Sequence, residues 1–228
     1  MTTKLSVIIP VYNEADQVSS LVRHLDHFQD EAIEVLFVDG GSQDQTADLL
    51  EEEGYQVVKS LKGRGHQLND GAQKARGDAL LFLHADSYFK TSPVGEILQV
   101  LTEADFGVFP LRFEPNSCLL RMIAMGSNWR IKHRQIAFGD QGMFMTKAHY
   151  HRLGGFRPLP LMEDYDLSIR NKKQGHGILL AKTPIYTSSR RFKRQGTMRT
   201  LMRMQYCQWL FRRGATIEEI QAIYAKNK

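Results

Sequence analysis

The sequence predicts an α/β protein built on a doubly wound, mainly parallel sheet with helices on both faces. Residues 6–11, 35–38 and 79–83 are short, nearly continuous apolar runs, the pattern of strands buried on both faces of a parallel sheet. Helical signals fill the stretches between them. Carboxylates stand at or just beyond two of the runs, Asp39 after Val38 and Asp86 after Leu83, where ligands of open α/β sheets bind.

Taken in order, residues 6–11 are the first strand. Val18, Leu21, Val22, Leu25 and Phe28 share one face of a helix leading to the strand at 35–38, which makes a βαβ unit. A second helix is expected over 44–53, a strand over 56–60, a third helix over 67–75 stopped near Gly77, and a strand over 79–83. The second half is less regular. It predicts a helix over 93–101, a strand over 106–113, and a helix opened by Pro115-Asn116-Ser117 and carried by Leu119, Met122 and Ile123. Residues 139–146 read as a loop feeding a short strand, Gly154-Gly155-Phe156 as a turn, and 161–171 as a helix with an acidic start. Met198, Leu201, Met202, Tyr206, Trp209 and Leu210 form an apolar helical stripe opposed by Arg199, Arg203 and Arg212. Core packing is its expected use, and contact with anionic headgroups the alternative. Thr216-Ile217-Glu218-Glu219 opens a last helix with a capping-box pattern.

With 228 residues, 42% hydrophobic and 24% charged, the chain is long enough for one domain with a sizeable core. No apolar run approaches the roughly 20 residues of a membrane span. Residues 1–4 lead straight into a strand-like segment rather than a secretion signal, so a cytoplasmic protein is expected. Cys118 and Cys207 are isolated, which excludes a disulfide scaffold or a paired-cysteine zinc site and predicts buried thiols. His133, His149 and His151 lack metal-ligand spacing and read as surface residues. The net charge is +5, and between Leu167 and Ile217 there are twelve Lys or Arg and no Asp or Glu. Such a surface suits phosphate, nucleic acid or anionic lipid, although most of these residues read as a solvated basic face. No base-stacking platform or docking motif accompanies it, so no nucleic-acid partner is expected.

Asp39, Asp86 and the pair Glu163-Asp164 carry the chemistry, because a carboxylate near a core is costly unless a cation, a donor or a proton-transfer task accounts for it. Asp86 suits a hard divalent ion, Mg²⁺ or Mn²⁺, and a partly desolvated carboxylate suits a general base. Each has a plainer use: Asp39 as a cap for the helix near Asp44, Asp86 as a turn cap, and Glu163-Asp164 as an acidic helix N-terminus.

Ser6-Val7-Ile8-Ile9-Pro10-Val11-Tyr12-Asn13-Glu14, the segment Val38 to Thr46, Asn69-Asp70-Gly71-Ala72, His84-Ala85-Asp86 and Glu163-Asp164 occur in the order seen in family 2 glycosyltransferases, which the chain resembles over nearly its whole length. Phe82 to Asp86, Gly139-Asp140-Gln141-Gly142 and Ser189-Arg190-Arg191 also resemble a compact bacterial subset, the selenodomain- or arsenosugar-associated transferases. The resemblance implies a GT-A fold in a single domain, with residues 1–90 as the nucleotide-binding half and 91–228 as the acceptor half. It implies inverting, metal-assisted transfer of a sugar from a UDP- or GDP-sugar to an unidentified acceptor hydroxyl; the headgroup alternative for the stripe from Met198 to Leu210 would bring the site to a lipid-linked acceptor by peripheral membrane contact. Asp86 would bind the metal and Asp164 would be the base, with Glu163, Asp140 and Gln141 toward substrate. Pro10, Tyr12, Glu14, Asp39, Arg64, Asn69, His84, Arg190 and Arg191 would serve the nucleotide. Tyr12 is equally read as a packing aromatic, Glu14 as a helix-start acid, residues 139–142 as a tight turn, and the arginines as solvated. His84 and Gly40 stand where the family usually has acidic residues, which reduces the charge offered to a metal and leaves donor identity open. A nucleotidyltransferase-like or non-catalytic nucleotide-binding protein is the alternative, although residues 10–14 lack a glycine-rich phosphate loop.

Overall fold

A computed structural model describes residues 3–225. In chain order its elements are β1 (Leu5–Val11), α1 (Val18–Arg23), β2 (Ile33–Asp39), α2 (Thr46–Glu52), β3 (Gln56–Lys59), α3 (Arg64–Lys74), β4 (Ala79–Phe82), β5 (Ser87–Tyr88), α4 (Val94–Glu103), β6 (Phe106–Val108) and β7 (Leu111–Glu114). There follow α5 (Cys118–Arg134), β8 (Met143–Thr146), α6 (Lys147–Arg152), α7 (Glu163–Lys173), β9 (Leu179–Leu180), β10 (Ile185–Ser188), α8 (Arg190–Gln195), α9 (Thr197–Arg212) and α10 (Ile217–Ala225).

The main sheet runs β3-β2-β1-β4-β8-β6-β9. Strands β1 to β4 pair in parallel, while β8 is antiparallel to both β4 and β6. The apolar runs are continuous because both faces are covered. Leu5, Val7 and Ile9 of β1 pack with Val18, Leu21, Leu50 and Ile97 on one side. Ile8 of β1 and Leu80 and Phe82 of β4 pack with Leu68, Ala72 and Leu167 on the other. Helices therefore flank the sheet on both faces, as the sequence predicts.

The expected strand over 106–113 is divided. Phe109 and Pro110 separate β6, in the main sheet, from β7, in a smaller sheet ordered β5-β10-β7. Pro110 has no N–H to continue a ladder, while its carbonyl accepts from Ile185 N and Phe109 N turns to Gln141 O. Two other expectations need correction. Cys207 is buried but Cys118 is exposed, because it stands on the outer face at the start of α5. Met198, Met202, Tyr206 and Trp209 are also exposed, since α9 turns Thr200 and Cys207 inward instead. The capping box is as expected, with Thr216 N donating to Glu219 Oε2 and Glu219 N to Thr216 Oγ1.

The loops after β1 and β2 are welded together. Asn13 N donates to Ser42 Oγ, Gln43 N to Asn13 Oδ1, Glu14 N to Thr46 Oγ1 and Ala15 N to Asp44 Oδ2. Behind them, buried Gln67 donates from Nε2 to Val11 O and Val38 O, each at 2.8 Å. That contact also accounts for Gly40, because a Cβ there would lie 3.0–3.1 Å from the Gln67 carboxamide. Gln67→Leu keeps the volume but takes a donor from two buried carbonyls, of which Val11 O still accepts from Gly40 N. It is expected to lower unfolding stability by roughly 1–3 kcal/mol, measured by urea denaturation.

Candidate active site

Asp86 lies at the corner where the chain leaves β4 and enters the smaller sheet at β5. Leu83 N still donates to Ile8 O, and the chain then turns, with Ser87 N donating to His84 O. Two adjoining cavities open at this corner. The larger, about 930 Å³, is lined by Pro10, Glu14, Arg64, His84, Asp86 and Arg190, among others. The smaller, about 270 Å³, shares Arg64, His84, Asp86 and Ser188 with it and adds Asp140 and Asp164.

Arg64, at the first turn of α3, reaches across to the first turn of α7. Its Nε is 2.8 Å from Glu163 Oε1, and the Glu163 side chain is only 1% exposed. Glu163 Oε2 has no hydrogen-bond partner. Burial, with the neighbouring Asp164 charge added, pushes the Glu163 carboxyl up against the pull of Arg64. The Arg64 Nη1 lies 3.4 Å from His84 Nε2. Burial and this guanidinium hold His84 down at about 3, so the imidazole is neutral. A guanidinium can only donate, which leaves Nε2 as acceptor and the ring proton on Nδ1.

Asp164 faces the smaller cavity with both oxygens steadied. Gly139 N donates to Oδ2 and Tyr165 N to Oδ1, each at 2.7 Å. Gly139 has to be a glycine here, because a Cβ would stand 2.5 Å from His84 Nε2. The first turn of α7 holds Glu163, Asp164 and Asp166, where the helix dipole favours negative charge. Asp166 is used elsewhere, pairing with Arg170 at 2.7 Å and Arg157 at 3.2 Å to tie the helix to the preceding turn.

Asp86 and Asp140 supply further negative charge. Burial raises Asp86, opposed by its own backbone N–H and then by Arg190 and Arg64. Burial also pushes Asp140 up to about 6, with Arg130 opposing and Asp164 and Asp86 adding to the rise. Asp140 Oδ1 is shielded from solvent and has no hydrogen-bond partner. Glu14 is raised as well, by burial and by Asp86.

Several residues singled out from the sequence stand apart from the cavities. The Asp39 carboxylate is occupied by Gly41 N, Ser42 N and Ser42 Oγ, so it shapes its own loop rather than capping α2. Asn69 donates to Phe156 O and accepts from Phe156 N and Tyr150 Oη, which commits its amide to the 154–156 turn. The Tyr12 ring carries the Lys62 ammonium 3.9 Å from its centroid. Gln141 is fully buried and accepts from Arg130 at 2.9 Å. Arg190 lines the larger cavity, its guanidinium 3.4 Å from Gln17 Oε1; the Arg191 side chain lies outside the described residues.

Other lining residues carry no signal in the sequence. His24 and Tyr88 stack at 4.3 Å on the wall of the larger cavity, and Tyr224 of α10 borders both cavities. They are far apart in the chain and belong to no motif. His149 also departs from expectation, being fully buried with Nε2 2.7 Å from Asn171 Oδ1. Among the described residues it forms, with Asp105 and His176, a group whose potential ligand atoms lie within 4.8 Å of one another. Arg152 Nη1 lies 3.4 Å from both Asp105 Oδ2 and His149 Nδ1. A cation already neutralises that cluster.

The profile described as Glycosyl transferase family 2 matches residues 6–158. The chain belongs to this family. It is 31% identical over 164 residues to an undecaprenyl-phosphate 4-deoxy-4-formamido-L-arabinose transferase of Klebsiella pneumoniae, covering 65% of this chain and 49% of that protein. It is 29% identical over 137 residues to the glycosyltransferase AglJ of Haloferax volcanii, covering 58% of this chain and 44% of that protein. The chain thus spans about half the length of the curated relatives it matches. Among solved structures, the mannosyltransferase PcManGT of Pyrobaculum calidifontis, in complex with GDP-Man and Mn²⁺, superposes with a TM-score of 0.65 at 17% identity, over 80% of this chain and 56% of that one. Residues 1–349 of TarS from S. aureus, in complex with UDP, give 0.63 at 20% identity, over 81% and 60%. The fold is GT-A.

The raised Asp140 carboxyl carries a sign. The folded protein holds this proton more tightly than the unfolded chain does, whose aspartate titrates near ~3.9, so stability falls as pH rises from ~4 to about 6. Asp140→Asn removes that slope. With chelator present, the variant is expected to gain stability relative to wild type above pH ~6 and to lose the gain toward pH ~4, measured by denaturant unfolding across pH.

Proposed function

We propose that the chain is an inverting transferase that moves a sugar from a UDP- or GDP-sugar to an acceptor hydroxyl. The observation that carries this reading is the placement of Asp86 and Asp164 on one small cavity that opens into a larger one. The larger cavity has room for a nucleoside diphosphate sugar, since its volume lies within the roughly 300–1,000 Å³ of ligand sites. Arg64 and Arg190 offer guanidinium donors to the diphosphate. Pro10 and Glu14 border the same space.

In the reaction, the acceptor oxygen attacks the anomeric carbon while Asp164 takes its proton. The bond to the diphosphate breaks with its electron pair leaving on phosphate oxygen. Attack opposite the leaving group inverts the anomeric centre. Glu163 acts behind Asp164 by fixing Arg64, and neutral His84 accepts from that guanidinium without adding a second positive charge beside it, so its remaining N–H groups can serve the leaving group.

The residues fit a divalent metal. Asp86 would hold it, because a carboxylate at the cavity corner whose proton affinity is raised by partial desolvation gains from a hard cation. When bound, Mg²⁺ or Mn²⁺ neutralises diphosphate charge. The Mn²⁺ in the PcManGT complex supports this assignment.

The acceptor is proposed to be lipid-linked, delivered at the cytoplasmic face of a membrane. A relative named as an undecaprenyl-phosphate transferase supports this. So does the apolar part of the smaller cavity, which includes Phe113, Phe138, Leu161, Phe192 and Met204. No helix among the described residues is long and apolar enough to cross a membrane.

Two measurements test the assignment. In calorimetry with UDP and GDP, Mg²⁺ or Mn²⁺ is expected to tighten binding to wild type but not to Asp86→Ala; equal metal dependence in both would reject Asp86 as ligand. Asp164→Asn is expected to keep donor affinity and slow transfer by roughly 10²-fold or more, once a donor and acceptor pair is identified by substrate screening. Near-normal turnover would remove Asp164 as the base.

A further inference from the structure

Seven of the nine large hydrophobic side chains exposed among the described residues belong to two helices. On α5 these are Met122, Met125 and Trp129, and on α9 they are Met198, Met202, Tyr206 and Trp209. Each set follows helical spacing, so each is a continuous outward stripe. Solitary exposed apolar residues need no explanation, but apolar residues gathered this way mark a surface that meets something.

Charge identifies the partner. Between Glu114 and Asp140 the chain has Arg121, Arg130, Lys132 and Arg134 and no acidic residue, and the acid-free segment from Leu167 to Ile217 contains all of α9. Arginines lie over both tryptophans, Arg134 with its guanidinium 5.7 Å from the Trp129 ring centroid and Arg213 at 4.4 Å from that of Trp209. An aromatic and methionine surface carried on acid-free helices, with the nearest exposed acids at Glu114 before α5 and Glu218 and Glu219 on α10, matches the boundary between headgroups and acyl chains in an anionic bilayer. It does not match an ordinary protein surface, which would bring charges of both signs.

The inner sides of both helices reach the same extended core cluster, which takes in Leu120 and Ala124 of α5 and Met204 of α9, together with Phe113 and Phe192, which meet edge to face at 5.1 Å. The inner side of α9 also reaches the chemistry, because Met204 and Gln208 line the smaller cavity beside Asp164. We infer that α5 and α9 together form a docking face for an anionic membrane, which brings the smaller cavity to the bilayer surface. The position of that cavity relative to an acceptor rests on the function proposed above; membrane binding itself does not.

The protein carries its own reporters, since Trp129 and Trp209 are the chain's two tryptophans, one on each helix. The full chain is mixed with vesicles of phosphatidylglycerol and phosphatidylcholine, or of phosphatidylcholine alone, and followed by co-sedimentation and tryptophan emission. Binding to the anionic vesicles at low salt, weakening as salt rises, with a blue shift in both Trp129→Phe and Trp209→Phe, is expected. Met122→Glu with Met125→Glu, and separately Met198→Glu with Met202→Glu, should each weaken vesicle binding at least tenfold while leaving nucleotide binding unchanged. Three results would overturn the inference: no sedimentation with anionic vesicles at low salt, binding indifferent to headgroup charge, or a vesicle-free dimer in which both tryptophans are already shielded. Vesicle binding by a protein that shows no glycosyl transfer would leave the docking face standing and count against the catalytic reading alone.

Discussion

The Arg64 guanidinium holds the two halves of the site in register. It starts at the N-terminus of α3, a helix pinned to the ends of β1 and β2 through Gln67, and ends on Glu163 at the N-terminus of α7. Glu163 is almost wholly removed from water and has one oxygen without a partner, so removing the arginine would leave a buried charge uncompensated. The pair also fixes what lies on either side. His84 receives a hydrogen bond from the same guanidinium, and Asp164 is adjacent to Glu163 in the chain and presents its carboxylate to the cavity.

Around that contact the molecule concentrates negative charge where burial disfavours it. Asp86, Asp140 and Glu163 all have raised proton affinity, and each lies within the influence of another carboxylate or an arginine. An ordinary core would avoid such an arrangement. It is stable here because Arg64, Arg130 and Arg190 are interleaved with the acids, and it stays responsive because the compensation is incomplete. A ligand that brings a cation on one side and a diphosphate on the other would complete it.

Much of the architecture is legible in the sequence because the first half obeys simple periodicities. The strands at residues 6–11, 35–38 and 79–83 are nearly continuously apolar, and the intervening helices carry one-faced stripes. Phe109-Pro110 is less transparent, since local pattern cannot say that the chain changes sheets within an apolar stretch. The site divides similarly. Asp86, Asp164 and Asp140 stand at turns after recognisable elements and do meet at one cavity. Asp39 and Asn69 have the right chemistry but spend their hydrogen bonds on loops, a choice decided for Asn69 by partners 81 and 87 residues away and for Asp39 by the turn itself. His24, Tyr88 and Tyr224 are assembled wholly by tertiary packing. No residue's own sequence neighbourhood marks them.

The antiparallel strand β8 has a consequence for how the molecule comes into being. Among the described residues, its four residues are what covers one edge of β4, with Leu81 opposite Phe144 and Phe82 opposite Met143, and they follow β4 by some sixty positions in the chain. While the chain is being synthesised, the early parallel strands can pair among themselves and leave β4 as an open hydrogen-bonding edge. Closure of that edge waits until β8 itself has been made, and its pairing, like that of β1 with β4, is non-local. The smaller sheet closes later still, because β5 must find β10. The corner bearing Asp86 therefore cannot be completed until β8 and β10 have been synthesised, and the nascent chain passes through an interval in which one apolar edge of β4 lacks the strand that covers it.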